Sequence, residues 1–205
     1  MNEKMIVKNS IDIKTCASVV WDVLINPAKT KKYMFGCETV SDWKVGSDLL
    51  WEGSFEGKKM VFVKGKIVKI EPNKILKYTV IDPNASYPDI PENYLNVTYN
   101  LFEEGDKTIL MVTQDGFEHA ADGEKRFKDS NNNGEGWNPI LIKIKKLSET
   151  PWDRKDYYYS SKRKYFLIFF TSMSSFPLNK TMILSMGIPR VSPNLEGGVG
   201  YLCLK

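Results

Sequence analysis

The sequence predicts an α+β fold in which an antiparallel sheet is covered on one face by a long C-terminal helix. Three stretches of the 205-residue chain support this prediction. Residues 11–27 change from a two-residue to a helical hydrophobic repeat, residues 94–114 alternate as a hairpin, and residues 137–148 have one apolar helix face. We therefore expect a six-stranded sheet, preceded by a short strand and a short helix.

The opening strand and helix occupy residues 11–27. Ile11 and Ile13 alternate with polar residues, as in a half-buried strand, and the apolar residues from Cys16 to Leu24 recur with the spacing of one helix face. Thr15 is the predicted cap, because its hydroxyl can accept a hydrogen bond from a free N–H of the first turn. Pro27 is the predicted stop, because the residue before a proline avoids the α region.

Six strands are expected after a short helical turn at residues 29–35. Glu56-Gly57, Pro72-Asn73 and Glu104–Asp106 supply connections of hairpin length. The predicted strands are residues 37–43, 48–55, 58–70, 74–81, 94–103 and 107–114. The connection from Asp82 to Asn93 is longer and contains three prolines, so we interpret it as a stiff surface loop, with a lid over a binding site as the alternative.

The last hairpin indicates that only one face of the sheet is covered. Residues 95, 97, 99 and 101 are apolar, whereas the residues between them are polar. The predicted cover is the helix from Trp137 to Ser148, capped by Asn138 with Pro139 at its first position. Its apolar stripe comprises Ile140, Leu141, Ile144 and Leu147. A further turn or two is expected within residues 118–128.

Composition and charge restrict the classes of function. Residues 1–149 contain 21 Lys and Arg against 22 Asp and Glu, whereas residues 150–205 contain 8 against 3, so the basic character belongs to the last quarter. The main domain is therefore not expected to bind nucleic acid. The opening residues lack an apolar signal segment, and the three cysteines are widely spaced, so we predict a cytoplasmic protein with ordinary thiols.

The order of these elements resembles the SRPBCC (START-like) superfamily, and within it the C-terminal domain of the activator of the 90-kDa heat-shock-protein ATPase. The resemblance covers about residues 5–148. The residues that carry it are Ala17-Ser18 with Val20-Trp21 and Pro27, Trp43 with Val45-Gly46-Ser47, Gly65 and Ile67 before Glu71-Pro72, Ile90-Pro91 before Val97-Thr98-Tyr99, Thr108 to Gly116-Phe117, and Gly136-Trp137.

This resemblance implies a helix-grip fold, in which a curved six-stranded sheet wraps around the C-terminal helix and leaves a cavity for an apolar or amphipathic small molecule. The implied cavity residues are Trp51, Phe62, Tyr78, Val80, Val97, Tyr99, Leu110, Val112, Trp137 and Leu141. The same residues also suit a simple hydrophobic core, because any sheet covered on one side needs them in order to fold.

Catalytic chemistry has few candidates in this sequence. His119, the single histidine, follows the last strand with Glu118 and Asp115 nearby. Gln114 and Asp115, with Tyr78 and Tyr99, are the polar groups expected near a cavity. The glycines at 197–200 lack the lysine and hydroxyl residue of a phosphate loop. We predict no catalytic residues, no metal and no cofactor.

The leading hypothesis is a START-like domain at residues 1–149 that binds a small molecule. An enzyme of the cyclase or hydrolase kind that uses the same cavity is the first alternative. An adaptor that binds a chaperone ATPase is the second, which is disfavoured because the second, N-terminal domain of full co-chaperones is not found in this sequence. Residues 150–205 are expected to be an accessory, basic and aromatic extension whose apolar run, Tyr165 to Phe170, is too short to span a membrane.

Overall fold

The structure is a computed structural model that describes residues 4–150, in which one antiparallel sheet is packed against helices. Residues 151–205, which include the predicted extension, its apolar run and Cys203, lie outside the described residues. The strands are β1 (Val7–Ile13), β2 (Glu38–Ser41), β3 (Asp48–Phe55), β4 (Lys58–Glu71), β5 (Ile75–Val80), β6 (Leu95–Glu104) and β7 (Lys107–Asp115). The helices are α1 (Ala17–Ile25), α2 (Pro27–Tyr33), α3 (Gly123–Asn131) and α4 (Asn138–Glu149), with short 3₁₀ turns at Pro91–Asn93, Phe117–His119 and Asn132–Gly134.

The strands form one sheet in the order β1-β7-β6-β5-β4-β3-β2, and every neighbouring pair is antiparallel. The α+β fold class and the six strands are confirmed. The opening strand is longer than the residue pattern indicated and joins the same sheet, where Ile11 lies opposite Leu110. The sheet therefore has seven strands in the part of the chain that the structure describes.

The predicted cap of α1 is wrong. Cys16, not Thr15, occupies the cap position, and its side chain makes no capping hydrogen bond. The carbonyl of Thr15 instead accepts a 2.7 Å hydrogen bond from the hydroxyl of Thr108, which ties this turn to β7. A carboxylate oxygen of Glu103 accepts the free N–H of Ala17 at 2.8 Å, so a distant strand end supplies the cap. The helix ends before Asn26-Pro27, as predicted.

The start of α4 also differs from the prediction by one residue. Trp137 is at the cap position, Asn138 is the first helical residue, and neither residue supplies a side-chain cap. Asn9 of β1 replaces that cap, since its Oδ1 accepts the N–H of Trp137 at 2.9 Å. The contact fixes the first turn of α4 against the edge of the sheet.

The core lies between one face of the sheet and the pair α1 and α4. Side chains from both helices and from the central strands are fully or nearly fully buried in it. On β4, Gly65 allows an unusually close approach of β5, because a Cβ at this position would lie 1.7 Å from the carbonyl oxygen of Thr79. The buried hydrophobic side chains that α1 and α4 contribute are Ala17, Val20, Trp21, Val23, Leu24, Leu141 and Ile144.

Neighbouring elements cover parts of both edges of the sheet. On the β2 edge, the N–H of Thr39 donates a 3.1 Å hydrogen bond to the hydroxyl of Thr30 in α2. On the β1 edge, the ammonium of Lys145 in α4 donates to the carbonyl of Asp12. Both outer strands are thus hydrogen-bonded to a helix that lies beside them.

The long connection between β5 and β6 is a loop, as predicted, and its end is firmly held. Asn93 is buried, donates from Nδ2 to the carbonyl of Pro88 at 2.7 Å and accepts the N–H of Ala121 at 2.7 Å. Residues 118–128 include the start of α3, in agreement with the turns expected there. No helix within residues 4–150 is long and apolar enough to cross a membrane.

Candidate functional site

The structure brings nine of the ten predicted cavity residues together in one hydrophobic cluster between the sheet and the helices. Six of them are at most 2% exposed: Tyr78, Val97, Tyr99, Leu110, Val112 and Leu141. Trp51 is also buried, and Val80 and Trp137 pack against the cluster. Phe62 is the one that lies outside it. The centre of the implied cavity is therefore occupied by packed side chains, and a role for these residues as ligand contacts stays a prediction.

Three tyrosines place hydroxyl groups inside this core. The ring centres of Tyr78 and Tyr99 are 6.3 Å apart, and those of Tyr99 and Trp137 are 6.0 Å apart in an edge-to-face arrangement. The hydroxyl of Tyr33 donates to the carbonyl of Leu24 at 3.4 Å. Burial raises the pKa of Tyr33, Tyr78 and Tyr99 well above the usual value for a phenol. All three phenols are therefore uncharged at physiological pH.

Three of the polar residues considered for catalysis form bonds between structural elements. Gln114 accepts the indole N–H of Trp137 at 3.1 Å, and Asp115 accepts from Asn96 at 2.9 Å. Glu118 accepts the backbone N–H of Met5 at 2.8 Å, while His119 is exposed in a 3₁₀ turn. Among residues 4–150, no group of three or more His, Cys, Asp and Glu side chains is arranged to hold a metal ion.

An open pocket of about 590 Å³ lies at one end of the sheet, where the turn after α2 meets β2, β3 and β4. A change of register creates its floor. Trp51 lies opposite Val63 but Glu52 lies opposite Val61, which leaves Phe62 as an extra, unpaired residue on β4. The lining residues are Lys31, Met34, Phe35, Gly36, Cys37, Glu38, Trp51, Glu52, Gly53, Ser54, Lys59, Phe62 and Val63.

Gly53 keeps this floor open. A Cβ on Gly53 would lie 3.0 Å from both the ring of Phe62 and the sulfur of Cys37, closer than ordinary van der Waals contact. The phenyl ring, the thiol and the glycine backbone thus converge on one point of the pocket. Partial burial raises the pKa of Cys37, so the group presented there at neutral pH is the uncharged thiol.

The mouth of the pocket carries an exposed aromatic ring. Phe35 has a left-handed backbone (φ 51°) and is 78% exposed, and Gly36 beside it also has a positive φ. The ammonium of Lys143 in α4 lies 4.8 Å from the centre of the Phe35 ring, within the range of a cation–π interaction. The turn after α2 is therefore linked to α4 at the entrance to the pocket.

Charged residues line the rest of the rim. Lys59 forms a 2.5 Å ion pair with Glu52, and Glu38 lies directly opposite Glu52 in the register of β2 and β3. The hydrogen bond and charge of Glu52, with a smaller contribution from Glu38, raise the pKa of Lys59. The pocket thus combines an apolar floor with a rim that carries both positive and negative charges.

Two of the predicted cavity residues, Trp51 and Phe62, line this pocket, and the other eight do not. The turn at Met34–Cys37 and Gly53 were missed as site residues. Gly53 carried a usable signal, because a glycine inside a strand often marks a bulge or a close approach. The bulge itself is a property of strand pairing, which the order of residues in one strand does not reveal.

A second groove of about 580 Å³ lies under the loop between β5 and β6. Lys64 is paired there with Asp89, which also accepts the hydroxyl of Tyr94 at 2.7 Å, and Lys66 is paired with Asp48 at 2.7 Å. The bonds from Lys64 and Tyr94 lower the pKa of Asp89. The lysines and aspartates of this groove are therefore already paired with one another.

Residues 14–149 match the family described as Activator of Hsp90 ATPase homolog 1-like protein. The chain is similar to ChR145 from Cytophaga hutchinsonii, with 37% identity and a TM-score of 0.57 over 72% of this chain and 95% of that one. Comparison with curated proteins finds no match.

More distant structures share the fold. The Aha1 dimer from Colwellia psychrerythraea has 19% identity and a TM-score of 0.52, over 71% of this chain and 96% of that one. CalU16 from Micromonospora echinospora has 18% identity and a TM-score of 0.50, over 71% and 76% of the two chains.

Proposed function

This chain belongs to the family of Activator of Hsp90 ATPase homolog 1-like proteins, and on that premise we propose that its domain binds an apolar or amphipathic small molecule. The observation that carries the proposal is the pocket floored by Trp51, Phe62 and Gly53. Its volume of about 590 Å³ is in the range of small-molecule sites. Aromatic and aliphatic walls with a few polar groups are typical of such sites.

The location of the pocket differs from the centre of the helix-grip interior for a physical reason. Tyr78, Tyr99 and Leu141 fill the space between the sheet and α4, so a ligand there would have to displace packed side chains. At the end of the sheet the bulge at Phe62 and the missing side chain of Gly53 leave space without such displacement. We therefore assign the ligand to this end.

Fluorescence titration with N-phenyl-1-naphthylamine, an uncharged probe that brightens in apolar sites, tests the proposal. Gly53→Ala and Gly53→Val fill the floor in two steps, so we expect weaker binding with the first and loss of binding with the second. Thr98→Val, a similar change of a half-buried residue on the central strand β6, is the control and should bind like the original chain. Equal binding by all four proteins, each shown to be folded by its thermal transition, would contradict this site.

Native mass spectrometry of freshly purified protein addresses the ligand itself. A retained apolar molecule of constant mass supports a binding protein. If that molecule were converted on incubation, and the conversion were lost with His119→Ala while binding persisted, the enzyme alternative would replace the proposal. We expect His119→Ala to leave both folding and probe affinity unchanged, because the side chain is exposed and away from the pocket lining.

A further inference from the structure

The charges around the pocket mouth indicate which amphiphiles it selects. We infer, resting on the proposed function, that the pocket prefers an anionic amphiphile, whose acidic group binds between Lys31 and Lys143 while its apolar body lies on Phe62 and Trp51. The class comprises molecules with an aromatic or aliphatic body and one carboxylate, sulfonate or phosphate group.

Lys31 is a lining residue whose ammonium is available to a ligand. It is exposed in the last turn of α2, and it forms no ion pair within residues 4–150. The helix end does not need it as a cap, because the carbonyl of Thr30 already accepts the N–H of Met34 and the carbonyl of Lys31 accepts the N–H of Gly36. An anion bound at the mouth could therefore pair with the Lys31 ammonium without breaking an ion pair or a helix cap.

Lys143 reaches the same mouth from α4. The Phe35 ring holds its ammonium 4.8 Å from the ring centre, and Phe35 is itself a lining residue. A cation–π contact positions the ammonium without neutralising it, in contrast to an ion pair.

The balance of charge at the mouth favours an anion. Three lysines, Lys31, Lys59 and Lys143, face two glutamates, Glu38 and Glu52, which leaves one positive charge. Lys59 is already paired with Glu52, so one of the two glutamates is compensated. A cationic group at Glu52 would compete with Lys59, whereas an anionic group at Lys31 competes with no ion pair of residues 4–150.

A matched pair of probes tests the inference. The anionic probe 8-anilino-1-naphthalenesulfonate has the aromatic body of N-phenyl-1-naphthylamine with one added sulfonate. We expect the original chain to bind the anionic probe more tightly than the neutral one, and added salt to weaken the binding of the anionic probe only. Lys31→Gln and Lys143→Gln should each weaken the binding of the anionic probe about two- to fivefold, the range for exposed charge pairs. Neither substitution should change the affinity for the neutral probe.

Lys32→Gln is the matched control, because Lys32 is the exposed neighbour of Lys31 but does not line the pocket. The inference is overturned if Lys32→Gln has the same effect, if neither lysine changes the anionic probe, or if Gly53→Val leaves that probe bound. If the neutral probe still binds and responds to Gly53→Val in those cases, the proposed function stands without the charge preference. If neither probe binds the original chain, both the proposed function and the charge preference are contradicted.

Discussion

The backbone N–H of Ala17 donates a 2.8 Å hydrogen bond to the carboxylate of Glu103, 86 residues further along the chain. The bond joins the first turn of α1 to the end of β6. A carboxylate at this position satisfies a free N–H of the helix and also interacts favourably with the positive end of its dipole.

Removing this cap should destabilise the domain. We expect Glu103→Ala to lower the free energy of unfolding by about 1 kcal/mol, the usual cost of losing a capping side chain, and Glu103→Gln to recover part of it. Chemical denaturation measures the change. Glu104→Ala, at the exposed neighbour that lies 3.5 Å from Lys107, should have little effect; an equal loss there would assign the stability to general surface charge.

The close approach at Gly65 gives a sharper test of the strand pairing. Because an added methyl would lie 1.7 Å from the carbonyl oxygen of Thr79, Gly65→Ala must move the backbone of β4 or β5. We expect a loss of about 3 kcal/mol or more in unfolding free energy, at the upper end for overpacked sites. Lys66→Ala, the exposed next residue, is the control; a mild effect of Gly65→Ala would mean that the two strands are further apart.

The buried tyrosines predict a loss of stability at alkaline pH. Their pKa is raised in the folded state, so the unfolded chain releases these protons first as the pH rises above about 10. The contribution of these phenols to the free energy of unfolding is complete below that pH. Above it, the contribution falls by up to about 1.4 kcal/mol per pH unit for each phenol. Tyr78→Phe should flatten this fall in denaturation measured from pH 8 upwards. An unchanged slope would show that Tyr78 ionises in the folded protein.

A chain that ends after Thr150 should unfold cooperatively and bind the same probes as the full chain. Residues up to Thr150 form one compact unit, and Glu149 accepts the N–H of Lys14 at 2.7 Å, so the cut must follow Glu149. Thermal unfolding of the truncated and full chains tests this boundary. A transition that is lost on truncation would show that the later residues complete the core.

The parts of the fold that depend on local patterns were predictable from the sequence. Alternation located the strands, and Asn26-Pro27 and the stripe of Leu141 and Ile144 located the helices. The caps were not predictable, because Glu103 and Asn9 reach them from distant strands and no neighbouring residue signals that contact.

The candidate site was predictable only in part, for a related reason. The hydrophobic pattern correctly places Tyr99 and Leu141 on the interior face, but a sequence pattern alone does not distinguish a filled core from a cavity. The pocket depends on a missing side chain at Gly53 and on an extra residue at Phe62, which act through neighbouring strands. Trp51 and Phe62 were found because they lie at the ends of the apolar face.

The bonds at the two outer strands influence how this protein can meet other chains. An open strand edge is a template for strand addition and for edge-to-edge aggregation. At Thr39 and at Asp12 the backbone groups are already bonded to Thr30 and Lys145, so an incoming strand would have to break these contacts first. Strand addition by another protein is therefore disfavoured at these two positions of the sheet edges.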